Sequence, residues 1–399
     1  MASGSDFFAN INNSVMQTSR AQDVRKDTEK LMKNDYDWEQ YLVHVPVSVA
    51  VLGHLVCVSA RKDFAINHGM EHRTFQYIKY PESFRACLMQ VCNGAWEAFN
   101  SAHKSMDQIR RYSLQMPRNL STVVETLMQD NDAIVSSLLP GQLQNIEDVT
   151  HECYQLASQV ESQFMYVISV ISELMEAFTC STKLHNDSVR EAMERCNLEK
   201  IDFEETLKLL AEGMQALAQV KQQWSNLVQF FQNISSLIKV SLSQEIHKFV
   251  MECRSLPQIK EYSHSAFLKD LIYQQASEAG NISNIVHSIS DTYVTVSRLY
   301  LMDMVGGLGI LMATKPSLQD YRTLQNGCRR AMEDINRLVS RNMLEFSGGI
   351  QQRIRTIDGN LEAVLPSSQD RVREIKKSYG EGPDVVMKKL SEKDRDQFC

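Results

Sequence analysis

The clearest match to a catalytic motif is His68-Gly-Met-Glu71-His72. It has the H-x-x-E-H form of inverted zinc proteases, in which two histidines one helical turn apart bind zinc and the glutamate activates a water molecule. Such a site needs a further protein ligand. Glu147 and Glu152 lie downstream, but the surrounding sequence has no other feature of that family. We therefore interpret the three motif side chains as polar residues beside a loop.

The other combinations of residues that we considered do not form a catalytic or ligand-binding motif either. The remaining histidines are isolated on predicted helices, and Cys87 and Cys92 are too far apart for a C-x-x-C site. The glycine-rich run at 306–309 lacks the lysine and the preceding strand of a phosphate-binding loop. The sequence thus predicts a non-enzymatic protein with no catalytic residue, no metal site and no cofactor.

Composition limits the classes of partner and the cellular compartments that we expect for this protein. The 42 basic and 49 acidic residues are interspersed and give a net charge of -7, which disfavours nucleic acid as a partner. The first residues lack the basic and apolar regions of a signal peptide, so we expect a cytoplasmic location. The nine cysteines are an odd number and are scattered, and we expect them to be reduced thiols.

Proline positions divide the chain into candidate helices, because a proline inside a helix removes a hydrogen bond and its ring clashes with the preceding turn. Pro117 and Pro140 are predicted boundaries. Between them we expect a short helix with an apolar face of Val124, Leu127, Ile134 and Leu138. After Pro140 a long helix is predicted from two neighbouring rows of apolar residues at heptad spacing. The rows are Cys153, Val160, Val167 and Leu174, and Ala157, Phe164, Ile171 and Phe178.

A second long helix is predicted over residues 202–253. Its first residues, Asp202 to Glu205, have the form of a capping box. One apolar row then continues at strict seven-residue spacing through Leu210, Leu217, Trp224, Phe231 and Ile238. At roughly 1.5 Å per residue this helix is about 75 Å long, so it needs partner helices of similar length.

Further helical patterns cover most of the remaining chain, at 81–115, 263–313 and 318–365. The predicted fold class is therefore all-α, an elongated antiparallel bundle of five or six long helices plus shorter ones. We divide the chain into residues 1–80 with an N-terminal helix and a valine-rich segment, residues 81–366 with the long-helix bundle, and residues 367–399 with a charged helix and tail.

Two apolar segments depart from the amphipathic pattern. Residues 43–60 are rich in valine and alternate at their start, with Pro46 interrupting the pattern, and residues 299–313 end a helix with Gly306, Gly307 and Gly309. Each segment is either a buried hydrophobic element or a membrane-contacting one, and the glycines permit either close helix contact or a bend. The candidate membrane-contact residues are Val47, Val49, Val51, Leu52, Leu55, Val56, Val305, Leu308, Ile310 and Leu311.

Two resemblances follow from these stretches. The segments 148–164 (DVTHECYQLASQVESQF), 223–238 (QWSNLVQFFQNISSLI) and 291–302 (DTYVTVSRLYLM) look like a group of uncharacterised all-helical vertebrate proteins, over about the last two thirds of the chain. That resemblance carries no catalytic residues. The long helices and the two apolar segments also look similar to cytolysin A-type pore-forming proteins, whose soluble form hides an apolar tongue. A departure is that residues 181–200, where such a tongue would sit, are polar.

Two functions are therefore expected from the sequence. The first is a non-enzymatic, elongated helical bundle that acts by protein–protein interaction or scaffolding, with an unidentified protein partner or by self-association. The alternative is a cytolysin A-like protein that inserts into a lipid membrane and forms a pore, with residues 43–60 or 299–313 as the inserting segment.

Overall fold

The computed structural model describes residues 41–60, 63, 65–67, 73–129, 131–193, 200–258, 266–314 and 319–341. Within this part of the chain the fold is all-α, without strands. The helices are α1 (Val45–Ser59), α2 (Phe84–Leu127), α3 (Asp132–Met193), α4 (Lys200–Ser236), α5 (Ser243–Ser255), α6 (Ala266–Val296), α7 (Met302–Ala313) and α8 (319–341). A π-helical turn, Leu237–Leu242, joins α4 to α5, and a second one, Ser297–Leu301, joins α6 to α7.

The long helices run antiparallel and pack side by side. Phe84 and Phe99 near the start of α2 meet Phe178 and Phe164 of α3, both at 5.0 Å between ring centroids. Tyr112, further along α2, donates to Glu152 at 2.9 Å. The order of these pairs is reversed along the two helices, as an antiparallel arrangement requires. The predicted all-α bundle of long helices is confirmed.

The heptad rows form the centre of this bundle. Every member of the two predicted rows of α3 is buried, and so are Trp224, Phe231 and Ile238 along α4 and the turn after it. Phe231 stacks on Phe164 of α3 at 5.5 Å and meets Tyr293 of α6 edge-on at 5.2 Å between ring centroids. The second predicted long helix begins at Lys200, two residues before the predicted start, and extends through its π-turn to Ser255.

The predicted helix boundary at Pro117 was wrong, because Pro117 lies inside α2. A proline at this position leaves the carbonyl of Ser113 without its usual N–H donor. The hydroxyl of Ser283, from the neighbouring α6, donates to that carbonyl at 3.0 Å in the buried interface. A residue 170 positions away therefore supplies the missing hydrogen bond, and the helix continues.

The boundary at Pro140 was also wrong, since Pro140 lies in an exposed turn near the start of α3. The chain instead breaks between Leu127 and Asp132, where the side chain of Asn131 accepts from the N–H groups of Ala133 and Ile134 and caps α3. The separate short helix predicted between the two prolines does not form. Two residues of its expected apolar face, Ile134 and Leu138, are consequently exposed.

Several predictions fall on residues outside the described ranges. They are the H-x-x-E-H motif at 68–72, the N-terminal helix expected before residue 41, the end of the helix expected to reach residue 365, and the charged helix and tail at 367–399.

Candidate functional site

The two apolar segments, 240 residues apart in sequence, pack against each other as α1 and α7. We call this pair of helices the apolar head. Gly53 lies at their contact, because a Cβ atom placed on it would be 3.4 Å from Leu311 Cδ1 and 3.9 Å from Leu308 Cδ1. The same Cβ would lie only 2.6 Å from Leu324 Cδ2 of α8. Helix α8 therefore covers the contact between the two head helices.

Helix α1 is strongly apolar and contains no Asp, Glu, Lys or Arg. Of the predicted membrane-contact residues in it, Val49, Leu52, Leu55 and Val56 are buried against the bundle and Val51 is half-buried. Val47 has 37% of its surface exposed. His54 is also exposed, and Ala50 and Val51 are half-buried, so the described part of the outer side of α1 carries apolar side chains beside one imidazole.

One buried hydrogen bond links α1 to α4. The indole Nε1 of Trp224 donates to Ser48 Oγ at 2.7 Å, and that hydroxyl in turn donates to the carbonyl of Val45 at 2.6 Å. Just before α1, Tyr41 lies 6.4 Å from Phe230 between ring centroids. Near the middle of α1, the imidazole of His54 lies 5.2 Å from the ring of Tyr321 in α8 between ring centroids.

Helix α7 has the same character. Val305, Leu308 and Leu311 are buried, whereas Ile310 is 66% exposed, and Asp303 is the one charged residue in the helix. Among the described residues, one continuous helix, Leu271–Ala313, is long and apolar enough to cross a membrane by length and composition, and α7 forms its C-terminal part. The shorter apolar helix in the described part of the chain, Val45–Cys57, belongs to α1.

The glycines of α7 have different surroundings. A Cβ atom on Gly307 would lie 3.3 Å from Leu324 Cδ1, so this glycine permits the close approach of α8. Nothing lies within 4 Å of a Cβ built on Gly306 or Gly309. From the sequence, the glycines of this segment could permit either close helix contact or a bend. At Gly307 the reason is close contact between helices.

The connection from α1 to α2 is fixed to the bundle soon after α1 ends. Asp63 accepts from the backbone N–H of Arg85 at 2.9 Å and from the hydroxyl of Ser83, the N-cap of α2. Further along, the Glu173 carboxylate accepts from the N–H groups of Tyr77 and Ile78, both at 2.7 Å. Helix α1 therefore joins an anchored connection through the few residues between Ser59 and Asp63.

Most thiols of the described residues are buried. Burial raises the pKa of the Cys87, Cys92, Cys153 and Cys328 thiols to about 12, with nearby acidic side chains adding to the effect at Cys87 and Cys153. These groups are protonated near neutral pH and are therefore poor nucleophiles and poor metal ligands. In the described part of the chain, no group of three His, Cys, Asp or Glu side chains is arranged to hold a metal ion.

The sequence missed the role of α8. Leu324 contacts both head helices, and a cleft of about 520 Å³ lies between α7 and α8, with Asp303, Ile310 and Arg330 in its lining. The helical pattern of residues 318–365 was the signal that predicted a helix here. The pattern did not indicate which helices α8 would pack against.

Comparisons with protein-family models, with curated proteins and with solved structures find no match to this chain.

Proposed function

We propose that the protein acts by binding rather than by catalysis, and that it binds a lipid membrane through the apolar head. The observation that carries this proposal is the contact between α1 and α7, which combines the two most apolar segments of the described chain into one unit. Both helices retain apolar side chains on their outer surfaces, Val47 on α1 and Ile310 on α7. An exposed apolar surface on a water-soluble bundle is typical of a contact site for lipid or protein.

The architecture supports a specific sequence of events. In solution the bundle covers the inner face of α1. At a membrane, Val47 and Ile310 make the first contact, and α1 then leaves the bundle, because lipid replaces the apolar surroundings that its inner face loses. During this movement the connection after α1 stays bound to α2 through Asp63 and to α3 through Glu173. The resemblance to cytolysin A-type proteins supports a further step in which several copies assemble into a pore.

Scaffolding by protein–protein interaction is the second candidate. It is favoured by the burial of the heptad rows of α3 and α4 within one chain, which leaves the polar outer faces of the bundle for a partner. A scaffold of this kind uses its outer faces and needs no release of α1. The two candidates therefore differ in what happens to the apolar head.

Flotation of the purified full-length protein with phospholipid vesicles, combined with release of an encapsulated dye, separates the two candidates. Membrane binding predicts that the protein floats with the vesicles, and pore formation predicts dye release that increases with protein concentration. A folded protein that stays at the bottom of the gradient and releases no dye contradicts the membrane proposal and leaves the scaffold.

A further inference from the structure

A cleft with mixed chemical character lies between α7 and α8, beside the apolar head. Its volume of about 520 Å³ is within the range of roughly 300–1,000 Å³ that small-molecule sites occupy. Leu299 and Ile310, which are 49% and 66% exposed, line it together with Leu311 and Leu324. The cleft therefore has apolar walls that are exposed to water when no ligand is bound.

Two oppositely charged side chains lie on opposite walls of this cleft. Asp303 belongs to α7 and Arg330 to α8, and both side chains are exposed. Neither forms an ion pair with another residue of the described chain. The nearby Asp334 differs, because it pairs with Arg337 at 2.7 Å. The cleft therefore presents one carboxylate and one guanidinium that are both available to a ligand.

We propose that this cleft binds a zwitterionic phospholipid, with the phosphate on Arg330, the positively charged amine on Asp303 and the start of the acyl chains against Leu299. A guanidinium is well suited to phosphate because it donates two parallel hydrogen bonds. A carboxylate attracts the ammonium group of a choline or ethanolamine head. The inference deepens the proposed function, since it names the lipid class that the head region recognises.

The acidic residues of the lining favour a zwitterion over an anionic lipid. Asp303, Asp320 and Asp334 line the cleft, against one basic residue, Arg330. Asp334 pairs with Arg337, and Asp320 also has an interaction within the protein, which leaves Asp303 and Arg330 as the charges for a ligand. A lipid with only a negative head would leave Asp303 without a partner, and one with only a positive head would leave Arg330 without a partner. A head group that carries both charges satisfies both walls.

Titration calorimetry of the full-length protein with dihexanoylphosphatidylcholine, kept below its critical micelle concentration, tests the site without a membrane. We expect saturable binding at one site per chain. Arg330→Gln should weaken it about tenfold, because a charge-assisted hydrogen bond to phosphate is lost. The matched control is Arg329→Gln, which removes the neighbouring exposed arginine outside the cleft and should leave the affinity unchanged.

The acidic wall and the cleft volume are tested separately. Asp303→Asn should weaken phosphatidylcholine binding and reduce the preference over dihexanoylphosphatidylglycerol, which has no amine. Gly327→Phe should block the cleft, because Gly327 lines it and nothing lies within 4 Å of the added Cβ atom, so the helix tolerates the side chain. Gly306→Phe on α7, equally unobstructed but outside the lining, should bind lipid as the wild type does.

Several results would overturn the inference. They are the absence of saturable binding to the wild type, equal affinities of the Arg330→Gln and Arg329→Gln variants, and binding of free phosphocholine as tight as that of the lipid. Vesicle flotation measures membrane binding, and its result does not depend on this titration. A protein that floats but binds no monomeric lipid refutes the cleft and leaves the proposed function standing, whereas lipid binding in the cleft without flotation refutes the proposed function alone.

Discussion

Ser48 forms a hydrogen bond whose removal measures how strongly α1 is attached to the bundle. Its hydroxyl accepts the buried indole N–H of Trp224 at 2.7 Å, so it joins the apolar head to the aromatic centre of the bundle. Ser59, near the other end of α1, is also buried, but its hydroxyl donates at 3.0 Å to the carbonyl of Val56 in its own helix. The two serines therefore have the same chemistry and different structural roles.

We expect Ser48→Ala to lower the free energy of unfolding by about 1–3 kcal/mol, because it leaves the indole N–H of Trp224 buried without an acceptor. Ser59→Ala should lower it by less, since the Val56 carbonyl also accepts from the N–H of Ala60. Urea unfolding followed by circular dichroism measures both variants. Equal losses would show that the contact between Ser48 and Trp224 contributes nothing beyond the burial of a serine.

Pro117 and Ser283 form a second pair that a mutation series can isolate. Ser283→Ala should destabilise the fold by about 1–3 kcal/mol, because the buried Ser113 carbonyl then lacks any donor. Pro117→Ala supplies a backbone N–H that can reach this carbonyl, so the same serine change should be milder in that background. A double-mutant cycle measures the coupling. Additive effects would contradict the account of why α2 continues through its proline.

At the scale of helices, the sequence predicts best what is periodic and local. The heptad rows of α3 and α4 predicted long helices and the faces that they bury, since residues at heptad spacing lie on one face of their helix, whichever helices that face meets. Pro117 was misleading for the opposite reason: its hydrogen-bond replacement comes from α6, and no local pattern reveals it. The contact between α1 and α7 was equally hidden, because apolar segments of this kind can pack against many different surfaces.

Gly53 tests whether close packing holds the apolar head together. Gly53→Val places side-chain atoms into the space of Leu324 and Leu311, so we expect a loss of about 1–3 kcal/mol in stability and weaker docking of α1. Gly309→Val, where nothing lies within 4 Å of the new Cβ atom, is the matched control and should be close to neutral. Thermal unfolding measures the stability change.

The same variant connects packing to function. If α1 must leave the bundle at a membrane, a folded Gly53→Val protein should float with vesicles at a lower lipid concentration than the wild type, because less packing is lost on release. The Gly309→Val control should float as the wild type does. Unchanged or weaker flotation of the folded Gly53→Val protein would contradict release of α1.

At the scale of the whole molecule, the buried apolar residues of the described chain form one core cluster. The apolar rows of α3, and of α4 from Leu217 onward, are buried within one chain, and α3, with 62 residues, extends over roughly 90 Å at 1.5 Å per residue. We therefore expect a monomer of 45.6 kDa in solution. Light scattering across a concentration series measures the mass. A constant dimer mass at the lowest concentrations would show that the seams or the apolar head are shared between chains.

Membrane binding through the apolar head is tested most directly by vesicle flotation of three full-length proteins side by side. They are the wild type, a Val47→Asp/Ile310→Asp variant and the control Val240→Asp. Val47 and Ile310 are better targets than Val49, which is buried and whose replacement by aspartate would disrupt the core. Val240 is 54% exposed in the π-turn between α4 and α5, outside the apolar head.

We expect the wild type and Val240→Asp to float equally and the double variant to stay in the dense fraction with its helical circular dichroism unchanged. A charge on each exposed head residue opposes entry into lipid, whereas the same charge elsewhere on the bundle does not. Equal flotation of all three proteins would show that the apolar head is not the membrane-contact site.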